Sequence, residues 1–272
     1  MKNIFLGAAI LLSVNITFAQ KKIVALWETK GLPTPESALF VARDQVLYVS
    51  LIDGGSMDKD GKGGVAKLGL DGQVKDQNWV TGMDAPKGLH LYEDLLYVAD
   101  LTAVLVVDVI TGNEIRRIEV PGSIMLNDVT GDDNGVIYVS DTRANKIFEL
   151  RNNKAALFLD NTSNVNGLKF HKGSLYALVD KELWQINAAK QTKVLAKGFE
   201  LPADGLEPVG EGDFLVSCWG GLIYYVYADG RKDLLLDVRG KQNTADIGFD
   251  PKSNTLYVPT FNNNSVQAFK LQ

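Results

Sequence analysis

Leu47-Tyr48-Val49-Ser50 is a short phrase that this chain repeats along its whole length. It returns as Leu96-Tyr97-Val98-Ala99, Ile137-Tyr138-Val139-Ser140, Leu175-Tyr176-Ala177, Phe214-Leu215-Val216-Ser217 and Leu256-Tyr257-Val258-Pro259. Marked by Tyr48, Tyr97, Tyr138, Tyr176, Leu215 and Tyr257, successive copies lie 49, 41, 38, 39 and 42 residues apart. A period of roughly 40 residues built from strand-type segments is that of propeller blades. Turn signals divide each repeat into four short strands. In the second repeat these are residues 87–91, 95–99, 104–109 and 114–120, with Thr111-Gly112 turning the chain before the last. Asp71-Gly72, Asp133-Asn134-Gly135 and Asp229-Gly230 are turns of the same kind. Val104-Leu105-Val106-Val107 is apolar on both faces, as a sheet covered on both sides by neighbours must be. The expected fold class is all-β, a six-bladed β-propeller. The last repeat, residues 245–271, has room for only three strands, while Ile23-Val24-Ala25-Leu26-Trp27 is a spare apolar strand ahead of the first. That strand is expected to become the outer strand of the sixth blade, closing the ring without a long unpaired edge.

Composition narrows the rest. The 272 residues are enough for one large all-β domain, expected over residues 20–272. Lys2, the mostly apolar residues 4–14 and the small residues of Thr17-Phe18-Ala19 read as a signal peptide, residues 1–19, cleaved after Ala19. An exported protein, periplasmic or secreted, is therefore expected, with no membrane anchor. The net charge is −5 with no basic cluster, which argues against nucleic acid, because phosphate binding needs concentrated Lys and Arg. Cys218 is the one cysteine, so no internal disulfide forms and stability must come from burial. It reads as a small buried apolar side chain.

The residues that open the six inner strands carry the chemistry. They are Glu36, Lys87, Asn127, Asn166, Asp204 and Asp246, expected to converge on the central channel. Five bear side-chain oxygens. Glu36, Asn127, Asn166 and Asp204 form a set of two carboxylates and two amides, the donors that a hard divalent cation takes.

With these motifs in this order, the chain resembles the SMP-30/gluconolactonase/luciferin-regenerating family, which is related to paraoxonases and diisopropylfluorophosphatase. The pattern carried over is a Glu in blade one (Glu36), Asn-Asp in blade three (Asn127-Asp128), Asn-Gly in blade four (Asn166-Gly167) and Asp-Gly in blade five (Asp204-Gly205). The resemblance covers essentially the whole chain after residue 19. It implies a metal site of Glu36, Asn127, Asn166 and Asp204 holding a divalent cation, calcium foremost, with zinc, manganese or magnesium as alternatives. It further implies a lactone or ester hydrolase acting on a small-molecule substrate. Asp204 would be the base that activates water, and Asn127 a catalytic residue that orients substrate. Three positions depart from the family's habits: Ser37-Ala38 stands where Gly-Pro is usual, Met125 where sugar-lactone hydrolases carry Arg, and Lys87 where paraoxonases carry His.

A second reading stays open. Non-catalytic propellers of the NHL type also start inner strands with Asp-Gly or Asn-Gly, residues suited to a tight entering loop, and act as protein- or ligand-binding modules. Other chemistries find little in the sequence. His90 and His171 are the only histidines, too few for a histidine zinc site, and no Gly-x-Ser-x-Gly elbow occurs. The polar insertion at residues 53–64 matches neither a phosphate loop nor an EF-hand, and is expected to be a flexible loop over one end of the channel. Trp184, Trp219, Tyr224 and Tyr225 fall in strand-like segments and are expected to pack between blades.

Overall fold

The computed structural model describes residues 20–272, so the signal-peptide reading lies outside the described residues. Six four-stranded antiparallel sheets form the blades of a six-bladed β-propeller. Their inner strands are Pro35–Val41, Pro86–Tyr92, Leu126–Gly131, Val165–His171, Leu206–Val209 and Gly248–Asp250. Each marker residue of the repeat sits in the second strand of its blade.

Burial explains the hydrophobic pattern. Second strands such as Val46–Leu51 and Thr255–Pro259 are buried at every position, because adjacent blades cover both faces. The outer strand Glu114–Glu119 is exposed at five of its six positions and accordingly reads Glu-Ile-Arg-Arg-Ile-Glu. The ring closes as the sequence implies. Ile23–Lys30 pairs antiparallel with Ser265–Leu271, from Ile23 opposite Leu271 to Lys30 opposite Ser265. Two main-chain bonds between Lys22 and Gln272 complete the clasp, so both ends of the described chain share one sheet. No helix among the described residues is long and apolar enough to cross a membrane.

At the axis the inner strands approach one another closely, and glycine decides how closely. A Cβ on Gly167 would overlap the carbonyl oxygen of Asp204, one on Gly205 the main chain of Asp246 and Ile247, and one on Gly88 the main chain and carboxyl of Asp128. None of these three adopts positive φ. The Asn-Gly and Asp-Gly pairs are therefore required by strand-to-strand packing, and the tight-loop explanation of those motifs does not hold here. Substituting Gly167 by Ala is expected to lower the unfolding free energy by about 2 kcal/mol or more, as overpacking does. Urea denaturation would show it, and an unchanged midpoint would remove close approach as the reason for this glycine.

Candidate functional site

The inner strands do not run straight past the channel mouth. In blade one Pro35 pairs with Leu51 and Ala38 with Val49, so one extra residue is fitted between them. The same irregularity falls between Pro86 and Leu89, Leu126 and Val129, and Val165 and Leu168. A bulge bends a strand and re-aims its side chains. Here it lies at Glu36, Lys87, Asn127 and Asn166, which turns them toward the channel. Asp204 lies just ahead of its strand and is fixed by main-chain bonds between Asp204-Gly205 and Ser217.

A bulge leaves an N–H without its ladder partner, and the repeated phrase supplies the acceptor. Its terminal serine hydroxyl accepts the freed N–H: Ser50 from Ser37 at 2.9 Å and Ser140 from Asp128 at 2.9 Å; in blade five, Ser217 accepts the N–H of Gly205, just ahead of the strand, at 2.8 Å. The aspartates that follow the phrase in blades two and three fix the entering loops. Asp100 accepts N–H bonds from Asp84 and Ala85, and Asp141 from Ile124, Met125 and Ala144. Their roles were not legible in the sequence, although Asp100 and Asp141 recur at one place in the repeat.

The result is a pocket of about 400 Å³ at one mouth of the channel, lined by all four predicted cation-site residues together with Lys87. Asn166 donates its Nδ2 to Asp204 Oδ1. Asn127 donates its Nδ2 to the Thr142 hydroxyl at 3.0 Å, and that hydroxyl donates to the Val165 carbonyl at 2.7 Å. Both amide nitrogens are thus engaged, leaving the amide oxygens as acceptors. Glu36 Oε2 and Asp204 Oδ2 are buried with no hydrogen-bond partner. Burial, followed by the charges of Asp204 and Asp246, holds the Glu36 carboxyl well above the usual carboxylate range, against the opposing influence of Lys87. Burial and the Asp246 charge push Asp204 up to about 8, against the Asn166 bond that favours the anion.

This donor set fits a hard divalent cation. Two partnerless buried carboxylate oxygens carry a desolvation cost of several kcal/mol each if ionised, and a cation between them would offset it. Among the described residues no three His, Cys, Asp or Glu side chains group as a metal site, so a cation here would have to be held by two carboxylates completed by amide oxygens and water.

Two neighbours, Asp246 and Trp219, differ from expectation, and the structure gives Lys87 its partners. Asp246 does not join the mouth of the channel. It bridges Ser37 in parallel, its carboxylate accepts the Ser37 hydroxyl at 2.5 Å, and the ring position of blade six falls to Ala245. Strand alternation makes a one-residue shift in alignment move a side chain to a different level of the channel. Lys87 makes no ion pair with Glu36 or Asp246; its ammonium donates to the carbonyls of Ala85 at 2.8 Å and Ser56 at 3.0 Å. That second bond ties the 53–64 insertion over the mouth, where Ser56 lines the pocket. Trp219 does not pack between blades but follows the strand Asp213–Cys218, is 43% exposed and lines the pocket with Phe261 and Met125. The Gly220-Gly221 pair after it was the signal that the strand had ended. Tyr224, Tyr225 and Cys218 are buried as expected, and burial pushes the Cys218 thiol up to about 12.

Below the mouth the channel is filled by charge. Lys169 pairs with Glu207 at 2.7 Å beside Asp128, Asp246 and His90, around a space of only about 20 Å³. Burial opposes the Lys169 charge, but Glu207, Asp128 and Asp246 outweigh it and hold the ammonium above its ordinary value. Burial pushes His90 down to about 3, so it is neutral.

No protein-family model and no curated protein matches the chain. Several solved structures do. A protein provisionally assigned as a gluconolactonase matches with a TM-score of 0.68 at 17% identity, covering 93% of this chain and 92% of that one. A streptogramin B lyase matches at 0.68 and 10% identity, covering 93% and 98%. A catalytically inactive histidine-to-alanine variant of virginiamycin B lyase from Staphylococcus aureus, solved with quinupristin, matches at 0.66 and 13% identity, covering 92% and 99%. At these identities the likeness defines the fold class and nothing finer.

Replacing Ser217 by Ala removes the acceptor of the Gly205 N–H and the donor to the Ala245 carbonyl at 2.7 Å. A loss of about 1–3 kcal/mol in unfolding free energy is expected, since a buried polar group is left unpaired. Chemical denaturation measures it, and a loss below the error of that measurement would show that the hydroxyl does not support the Asp204 segment.

Proposed function

We propose that this protein is an exported, divalent-cation-dependent hydrolase of a lactone or ester, with calcium the foremost candidate cation, held by Glu36, Asn127, Asn166 and Asp204. The observation that carries the reading is the pair of buried carboxylate oxygens without partners, Glu36 Oε2 and Asp204 Oδ2, in one pocket with two amides whose nitrogens are already engaged. A bound divalent cation would supply Lewis-acid stabilisation of negative charge on the substrate carbonyl oxygen. The chain's own groups would do the rest. Asn166 holds Asp204 through Oδ1 and leaves Oδ2 to take a proton from the attacking water. Asn127, oriented by Thr142, would position the substrate carbonyl. The lyase chemistry named for two of the structural neighbours finds less support: one of them is inactivated by loss of a histidine, and no histidine lines this pocket. The second reading, a binding module without chemistry, would leave two buried carboxylates with no cation to offset them.

Glu36→Gln and Asp204→Asn each remove one of the two negative charges. Each is expected to lower calcium affinity at least tenfold by isothermal titration and to abolish turnover in a screen of lactones and aryl esters, while the cation-free variants stay folded. Undiminished calcium binding with full turnover in both variants would sink the assignment.

Stability should also follow pH in a direction set by these groups. Both carboxyls hold protons in the folded, cation-free chain at pH values where the unfolded chain has lost them. The folded state thus binds more protons, and its stability falls as pH rises from about 4 through the Asp204 value of about 8. Thermal melts in chelator should show a lower Tm at pH 9 than at pH 5. Excess calcium should raise Tm more at pH 9, because ligands must lose their protons to bind it. Equal calcium shifts at both pH values would contradict the site.

A further inference from the structure

The pocket has two unlike halves. Its floor is polar, with Glu36, Lys87, Asn127, Asn166 and Asp204, whereas its mouth carries an apolar wall of Met125, Trp219 and Phe261 beside Ser56 and Asn262. Trp219 is the one aromatic among the large hydrophobic side chains that remain exposed on the described chain. A single exposed apolar residue needs no explanation, but this one is held in place. Its carbonyl accepts the Asn243 side chain at 3.1 Å and the Thr244 N–H at 3.2 Å, and its ring meets Phe261 edge-on at 5.5 Å. Phe261 sits at φ 49°, a backbone region that a bulky residue occupies only when its surroundings impose it. Phe261 starts the 3₁₀ turn Phe261–Asn263 and packs against Ile52, Ala85 and Leu101, the cluster that also takes Met57 from the 53–64 loop. The aromatic corner is therefore a built surface, anchored in blades five and six and braced by the loop over the mouth.

Access reinforces this. Lys169, Glu207, Asp128, Asp246 and His90 fill the channel below the floor, so a molecule reaching Asp204 must enter past Trp219 and Phe261. We propose that the substrate is a lactone or ester carrying an apolar acyl chain. The chain lies against Trp219, Phe261 and Met125 while the carbonyl rests on the polar floor, so a polyhydroxylated sugar lactone is the poorer substrate. A wall of two rings and a thioether offers mostly apolar area, with the Trp219 indole N–H as its one strong hydrogen-bonding group, and stripping water from several hydroxyls without replacing their bonds is unfavourable. This substrate class rests on the hydrolase reading above.

The test is a series of γ-lactones with side chains of one to eight carbons beside a sugar γ-lactone, assayed on calcium-loaded protein. Alkyl γ-lactams, which resist hydrolysis, are titrated in parallel by calorimetry. kcat/KM for the lactones and affinity for the lactams are expected to rise about threefold per added methylene over the middle of the series, with the sugar lactone at least tenfold poorer than the octyl lactone. Trp219→Ala should flatten the chain-length dependence in both measurements, and Trp219→Phe should restore most of it. If no lactone is turned over but lactam affinity still climbs with chain length and flattens in Trp219→Ala, the hydrolase reading fails and the apolar site stands. A preference for the sugar lactone, or an affinity slope absent from the wild type or identical in Trp219→Ala, overturns the proposal.

Discussion

Everything at the centre of this protein depends on how closely six inner strands can approach one axis. Main chains come into contact at Gly88, Gly167 and Gly205, where no Cβ would fit. That approach brings side chains 168 residues apart in sequence, Glu36 and Asp204, into a single pocket. It also removes them from water, which raises the pKa of both carboxyls, so that their anions would need a cation beside them.

The close approach creates a second demand, which the repeat meets with one residue. Bulges at the channel mouth aim the site residues inward but free main-chain N–H groups. Ser50, Ser140 and Ser217, the last letters of the repeated phrase, accept the N–H groups at Ser37, Asp128 and Gly205. The phrase is thus core packing at its Leu-Tyr-Val end and site support at its serine end. Blades two and four, with Ala99 and Leu178 at that place, lack the hydroxyl, and the site is correspondingly better braced beside Glu36, Asn127 and Asp204.

The channel divides its charges by level. At the mouth one oxygen of each of two carboxylates lacks a hydrogen-bond partner; lower down, Lys169 serves as an internal cation for Glu207, Asp128 and Asp246. Both levels gather negative charge in a buried space, and only the lower one carries its own counter-charge. Lys87, the cation that lines the upper level, is turned onto the carbonyls of Ala85 and Ser56, where it holds the loop and offsets Glu36 only in part.

Six blades, their strand divisions, the closing strand read at residues 23–27 and the four oxygen-bearing residues at the mouth were all legible in the sequence, because each follows from local alternation repeated at a steady period. What the chain alone left undecided depends on single-residue register and on contacts between blades. Asp246 matches Asp204 in the sequence pattern, yet Ala245 takes its ring position, because strand alternation turns one residue of offset into a different level of the channel. Trp219 read as strand packing, yet it stands one residue past the strand end, at the mouth of the pocket. Why Gly167 and Gly205 are glycines became clear only when the neighbouring strand was in place, since the atom each must avoid belongs to another blade. Local pattern determines which strands form, whereas only the closed ring decides which side chains face one another across its axis.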